Sequence, residues 1–185
     1  MATRLSRWLL GVSRGWIVLA ALAIFLLFTA RVLPRQAQRA AGGAGSPDTS
    51  FYYTADELYA MAEAYGPAGR QAYVEARFTF DVIWPIVYAT FLTTALSWLT
   101  WRAFPPASAW QRANLVPLLA VLFDFLENVS TSIVMLRYPL VTPAAAGLAP
   151  GFTVLKWLFV GGSFALLVAA AAVALSRRLA GRPAH

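Results

Sequence analysis

Phe123-Asp124-Phe125-Leu126-Glu127-Asn128 sits in the middle of an apolar run over residues 115–136. Most residues around it favour a membrane span, yet two acids and an amide stand inside it. At helical spacing Asp124 and Asn128 are i, i+4, and Glu127 is i+3 from Asp124. All three therefore project from one face. An acid near the bilayer centre costs about 2.5–3.5 kcal/mol on insertion scales, so two of them require a compensating environment. The reading of this stretch as a span with an internal polar face decides the fold class.

Composition supports a span. The 185 residues are 59% hydrophobic and 12% charged, with a mean hydropathy of +0.61. A soluble domain carries about 25% charged residues. The net charge of +7 comes from fourteen Arg and one Lys against eight acids. In a soluble protein that balance points to nucleic acid. Here the arginines flank apolar runs, so orientation in the bilayer and contact with anionic headgroups account for them, and no nucleic-acid partner is expected. There is no Cys, and the single His is the terminal His185. Thiol redox chemistry, thiolate or histidine metal sites and bis-histidine haem ligation are excluded, and no metal or other cofactor is expected.

Four spans are expected, at about 15–33, 78–101, 115–136 and 152–175. Together they form an all-α polytopic membrane protein, a four-transmembrane-helix bundle of one domain over residues 1–185. The first span follows Arg4, Arg7 and Arg14. A positive start before an apolar run also describes a signal peptide, with a cleavage site in the Ala-rich stretch 36–45. Its length and the interface anchor Trp16 favour a retained span. Residues 34–76 form an outer segment. It opens with a Gly-, Ala- and Pro-rich linker. A short amphipathic helix follows, with Thr54 and Glu57 as its capping box and Gly66 as its stop. Pro67 fits the first turn of the next helix, which is expected to continue unbroken to Pro85. Pro85 cannot donate to the Asp81 carbonyl, which predicts a kink next to an acid. The stretch from Arg137 through Gly151 reads as a loop, and Gly161-Gly162 as a place for close helix approach.

Lys and Arg counts set the orientation. Three precede the first span, two lie between the second and third, and three follow the fourth, with no acid in any of these segments. The positive-inside rule puts both termini in the cytoplasm and residues 34–76 outside. Asp81 then lies about 5–8 Å below the outer boundary and Glu127 about 15 Å from the outer end of its helix. Asp81, Tyr88, Asp124, Glu127, Asn128 and Thr131 are the candidate ligand-binding residues, lining a cavity towards the outer leaflet. Arg77, Lys156 and Arg31 are the candidate counter-ions.

Tyr65-Gly66-Pro67-Ala68-Gly69-Arg70, Asp81, Pro85-x-x-Tyr88, Asp124-x-x-Glu127-Asn128 and Tyr138-Pro139 together resemble a set of small bacterial four-helix integral membrane proteins. The resemblance covers about residues 54–175. It implies a four-helix fold in the bacterial cytoplasmic membrane and no activity. The architecture is also similar to the emopamil-binding and sigma-2 receptor group, whose members carry intramembrane acids and bind amines or isomerise sterols. This chain lacks that group's membrane histidine, so isomerase chemistry is not carried over, and whether the chain is an enzyme stays open.

Three functions fit the polar face. One is binding of a small lipophilic or amine-containing ligand, or a lipid, by the carboxylates. Another is an accessory subunit whose acids pair internally and whose apolar faces meet a partner membrane subunit. The last is a proton or cation pathway. It has only Thr90, Thr93, Thr94 and Ser97 as a track towards the cytoplasm.

Overall fold

The computed structural model describes residues 2–34, 47 and 50–180. The linker with its cleavage-site reading, and His185, fall outside them. The described residues are 88% helical, and no strand occurs among them. In order, the elements are α1 (Ala2–Val12), α2 (Gly15–Leu27) running into a π-helical turn (Phe28–Val32), α3 (Ala55–Arg77), α4 (Phe80–Ala103), a 3-10 segment (Ala109–Leu115), α5 (Val116–Arg137) and α6 (Pro143–Leu179).

Among the described residues, four stretches are long and apolar enough to cross a membrane: Gly15–Val32, Ala55–Ala103, Ala109–Arg137 and Pro143–Leu179. The first and last are the most apolar, with mean hydropathies of 2.2 and 2.4, and the least covered, with 6% and 11% of their apolar windows buried. The middle two, at 1.5 and 1.6, are 56% and 50% buried. The polar residues thus sit on the helices that the rest of the chain covers. α5 shows the inversion residue by residue. Leu119, Leu122, Leu126, Val129, Ile133 and Leu136 recur every three or four positions and are exposed, whereas Asp124, Glu127, Asn128, Ser130 and Thr131 are buried. A helix folded against water does the reverse. This is the arrangement expected of a helix facing an apolar solvent, where exposed leucines cost nothing and polar groups turn inward.

Four of the expected boundaries shift. The N-terminal arginine-rich stretch is helical as α1 rather than a plain flank. The second span begins after a break at Phe78-Thr79, where the Thr79 hydroxyl donates to the Glu75 carbonyl at 2.7 Å. The stretch expected to run unbroken into the span is therefore two helices. α4 continues through Pro85. The loop expected before the fourth span is largely helix, because α6 starts at Pro143 and runs through Pro150. The capping box of Thr54 and Glu57 is formed. Inside α3, Gly66 has φ 62° and ψ 177° and divides two helical stretches. Only glycine adopts that backbone region readily, and Pro67 restarts the helix.

The chain divides into two compact units. The first comprises Met1–Leu27, Val87–Leu119 and Phe159–His185, and the second Phe28–Ile86 and Ala120–Leu158. In the first, Phe25 stacks on Phe91 at 5.0 Å between centroids and meets Phe164 at 6.2 Å. A Cβ at Gly15 would lie 3.4 Å from Trp98 Nε1, so glycine lets the start of α2 approach α4 closely. Buried polar groups tie α1 to the 3-10 segment. Ser6 Oγ donates to Asn114 Oδ1 at 2.9 Å and to the Gln111 carbonyl at 3.1 Å. Asn114 Nδ2 donates to the Ser6 carbonyl and to Ser97 Oγ.

The second unit is built around Tyr53, Leu58, Ala62, Tyr73, Val134, Met135, Ala146 and Ala149. Here α3 packs on the end of α5 and the start of α6. Tyr59 OH accepts from the Thr142 N–H at 2.7 Å, one residue before α6 begins. Arg70 donates to the Ala62 carbonyl at 2.8 Å and lies over the Tyr138 ring. The Tyr138-Pro139 peptide is cis. Charge divides between the units. Among the described residues, the first holds Arg4, Arg7, Arg14, Arg102, Arg112, Arg177 and Arg178 and no acid, while every acid belongs to the second.

Candidate functional site

α5 presents Asp124, Glu127, Asn128 and Thr131 at i, i+3, i+4 and i+7, and all four are buried. α6 presents Thr153 and Lys156, i and i+3, to meet them. Lys156 Nζ lies 2.5 Å from Glu127 Oε2 and 3.4 Å from Asp124 Oδ1. The other Glu127 oxygen accepts from Thr153 Oγ1 at 2.6 Å, and that hydroxyl is 3.2 Å from Tyr53 OH. Burial, with the Glu127 charge second, raises the Tyr53 phenol above its ordinary range, so it stays a neutral hydroxyl. The Lys156 ammonium also sits 5.4 Å from the Trp157 ring centroid. The Trp157 indole donates to the Ser50 carbonyl at 3.1 Å, which fastens the segment carrying Tyr53.

Asp81 joins this group through charge. Arg77 Nε is 2.9 Å from Asp81 Oδ2, one helical turn apart across the Phe78-Thr79 break. Arg77 also interacts electrostatically with Glu127 and Asp124, and Asp81 with Lys156 and Glu127. The Arg77 guanidinium lies over the Tyr73 ring at 4.4 Å, which shields it on one side. Two ion-paired sets therefore lie in the second unit, Arg77 with Asp81 and Lys156 with Asp124 and Glu127. Together they count three carboxyls against two cations.

The remaining predicted residues divide. Asn128 is 3% exposed, and neither its amide oxygen nor its nitrogen has a hydrogen-bond partner among the described residues. A buried amide without partners costs about 1–3 kcal/mol per group, so it marks a place where a further polar group would be accepted. Thr131 is buried, but its hydroxyl donates to the Glu127 and Asn128 carbonyls of its own helix. Tyr88 is buried and belongs to the first unit. Arg31 is exposed. Tyr53, Tyr73 and Thr153 were not foreseen. Thr153 carries a signal, because it shares a face with Lys156. Tyr73 carries one too, being one turn before Arg77, whereas Tyr53 arrives from a segment distant in sequence.

Among the described residues, no group of three or more His, Asp or Glu is arranged to hold a metal ion. Two cavities lie in the first unit. One of about 270 Å³ is apolar and lined by Thr100, Phe104, Trp110 and Leu166 among others. One of about 300 Å³ lies between α1 and residues 106–112. In the second unit the Glu127 carboxyl is fully buried beside Lys156. No protein family, curated protein or solved structure matches the chain.

Proposed function

We propose that the chain is a four-span integral membrane protein that binds a small lipophilic ligand bearing an amine at the cluster of Asp81, Asp124 and Glu127. The observation that carries this reading is the charge balance. Three carboxyls, those of Asp124 and Glu127 buried and that of Asp81 partly so, share two cations, beside a buried Asn128 amide with no hydrogen-bond partner among the described residues. An ammonium group supplies the missing charge, and the Asn128 oxygen accepts one of its protons. Lys156 is a flexible side chain, able to withdraw from Asp124 at 3.4 Å more readily than from Glu127 at 2.5 Å. The arginines of the acid-free first unit support a cytoplasmic position for both termini in a bacterial inner membrane. The likeness to the emopamil-binding and sigma-2 receptor group is proposed at the level of this amine-binding carboxylate face only.

A second reading has its own observation. Each carboxyl has a cation beside it, as expected of a structural subunit whose acids hold its helices together and whose exposed leucines meet a partner. One experiment separates the two. The full chain is reconstituted in nanodiscs and titrated with hexadecylamine and with hexadecanol, which differ only in the charged end. Selective stabilisation by the amine, lost in Glu127→Gln and Asp124→Asn while both variants stay folded, supports the binding site. Equal effects of amine and alcohol leave the structural reading standing and the binding reading rejected.

A further inference from the structure

We propose that the cleft between α1 and residues 106–112 holds the headgroup of an anionic phospholipid whose phosphate carries a hydroxyl-bearing substituent. The inference rests on the membrane-spanning reading and is independent of the carboxyl cluster.

The cleft, about 300 Å³, is lined by Arg7 and Arg112 together with Thr3, Ser108 and Gln111. Arg7 Nε donates to the Thr3 carbonyl at 3.2 Å, which holds its guanidinium along α1. Arg112 approaches from the other wall. No acid occurs among the described residues of this unit, so nothing in it competes with an anion for the two arginines. Guanidinium forks match phosphate oxygens in geometry as well as charge.

Gln111 supplies the second, independent mark of a ligand. It is 4% exposed, and its Nε2 donates to the Thr100, Phe104 and Pro105 carbonyls, which fixes the amide plane. Its Oε1 is buried with no hydrogen-bond partner among the described residues. A buried acceptor on a residue of the cleft that two cations also line asks for a ligand that is anionic at one end and donates a hydrogen bond at the other. A phosphodiester carrying a glycerol has both.

Its surroundings identify the source as lipid. α1 exposes Leu5, Trp8 and Val12, at i, i+3 and i+7, next to Arg4 and Arg7. Trp110, next to the cleft, is 56% exposed, and Trp16 at the start of α2 is 66% exposed. An apolar and aromatic stripe bordered by arginine is the composition of a helix lying in the headgroup layer. Ser6 faces inward and pins it to the 3-10 segment. The acyl chains of a bound lipid would run beneath this stripe.

The test is native mass spectrometry of the full chain in detergent, with added phosphatidylglycerol, phosphatidylcholine or phosphatidylmethanol of the same acyl chains. Phosphatidylglycerol should be retained and phosphatidylcholine not. Phosphatidylmethanol, with the same charge and no hydroxyl, should bind more weakly. Arg7→Gln/Arg112→Gln should weaken phosphatidylglycerol retention by about tenfold or more. Arg177→Gln/Arg178→Gln, which removes the same charge elsewhere in the unit, should leave it unchanged. Equal loss in both pairs, equal retention of phosphatidylcholine, or displacement by excess inorganic phosphate overturns the site. Equal binding of phosphatidylmethanol overturns the role of Gln111. Hydrogen exchange of the unaltered chain gives a check free of variants: α1 amides should exchange more slowly with phosphatidylglycerol than with phosphatidylcholine, and unchanged protection counts against the proposal.

Discussion

Lys156 is the residue whose removal reports most directly on the cluster. Lys156→Met keeps the length and apolar stem of the side chain and deletes only the ammonium. That ammonium serves Glu127, whose side chain is 0% exposed, and Asp124, whose side chain is 11% exposed. Breaking a buried pair by removing one partner costs about 3–5 kcal/mol, because the remaining charge stays uncompensated. Lys156→Met should therefore raise the unfolding equilibrium constant by roughly two to four orders of magnitude, at about 1.4 kcal/mol per tenfold. Glu127→Gln alone should cost less, about 1–3 kcal/mol, since Lys156 keeps Asp124 as its partner. The double variant Lys156→Met/Glu127→Gln should be more stable than Lys156→Met, because the stranded carboxylate has gone. The assay is reversible unfolding by SDS titration in mixed micelles, followed by far-ultraviolet circular dichroism, with the double-mutant cycle giving the coupling. Two results would refute the reasoning. One is a Lys156→Met protein within about 1 kcal/mol of the parent. The other is a double variant destabilised by the plain sum of its singles.

Three further substitutions test the frame around the sites. Gly66→Ala should cost about 1–3 kcal/mol through the backbone alone, since no atom lies within 4 Å of the added Cβ, and a melting temperature equal to the parent's would contradict the assigned φ of 62°. Thr54→Ala removes the hydroxyl that accepts from the Glu57 N–H and should cost about 1 kcal/mol, with Thr54→Ser recovering most of it in the same thermal scan. Asn114→Leu deprives Ser6 and Ser97 of their shared partner and should speed hydrogen exchange in α1 while leaving α3 unaffected. Uniform exchange across both helices would mean that α1 is not held by this knot.

The carboxyl cluster was legible because one helix carries most of it. The spacing of Asp124, Glu127 and Asn128 on α5 fixes a common face before any tertiary contact is known, and the only lysine in an apolar stretch is the natural partner. Gly66-Pro67 and the Thr54 cap were legible for the same local reason. α6 was read too short because Pro150 and the neighbouring glycines look like breakers. The structure overrides them by packing Ala146 and Ala149 against Leu58 and Tyr53, so burial outweighs the lost hydrogen bond. α1 was also legible: Leu5, Trp8, Leu9 and Val12 recur at i, i+3, i+4 and i+7, a helical period that reading the stretch as an arginine-rich flank leaves unused. Tyr53 acts through Thr153, far away in sequence, and Gln111 through carbonyls across the turn after α4, and no helical spacing announces either.

The pairing of α5 with Lys156 has a consequence for how the protein is made. The ribosome delivers Asp124 and Glu127 before the cation that neutralises them, which arrives a whole helix later. While α6 is still in the ribosomal tunnel, α5 is a poor substrate for lateral release into lipid. On the four-span reading proposed above, the two helices would wait for one another at the translocon and leave it as a hairpin. A chain that stops after Arg137 would be held back there and handed to quality control, whatever the stability of the finished protein.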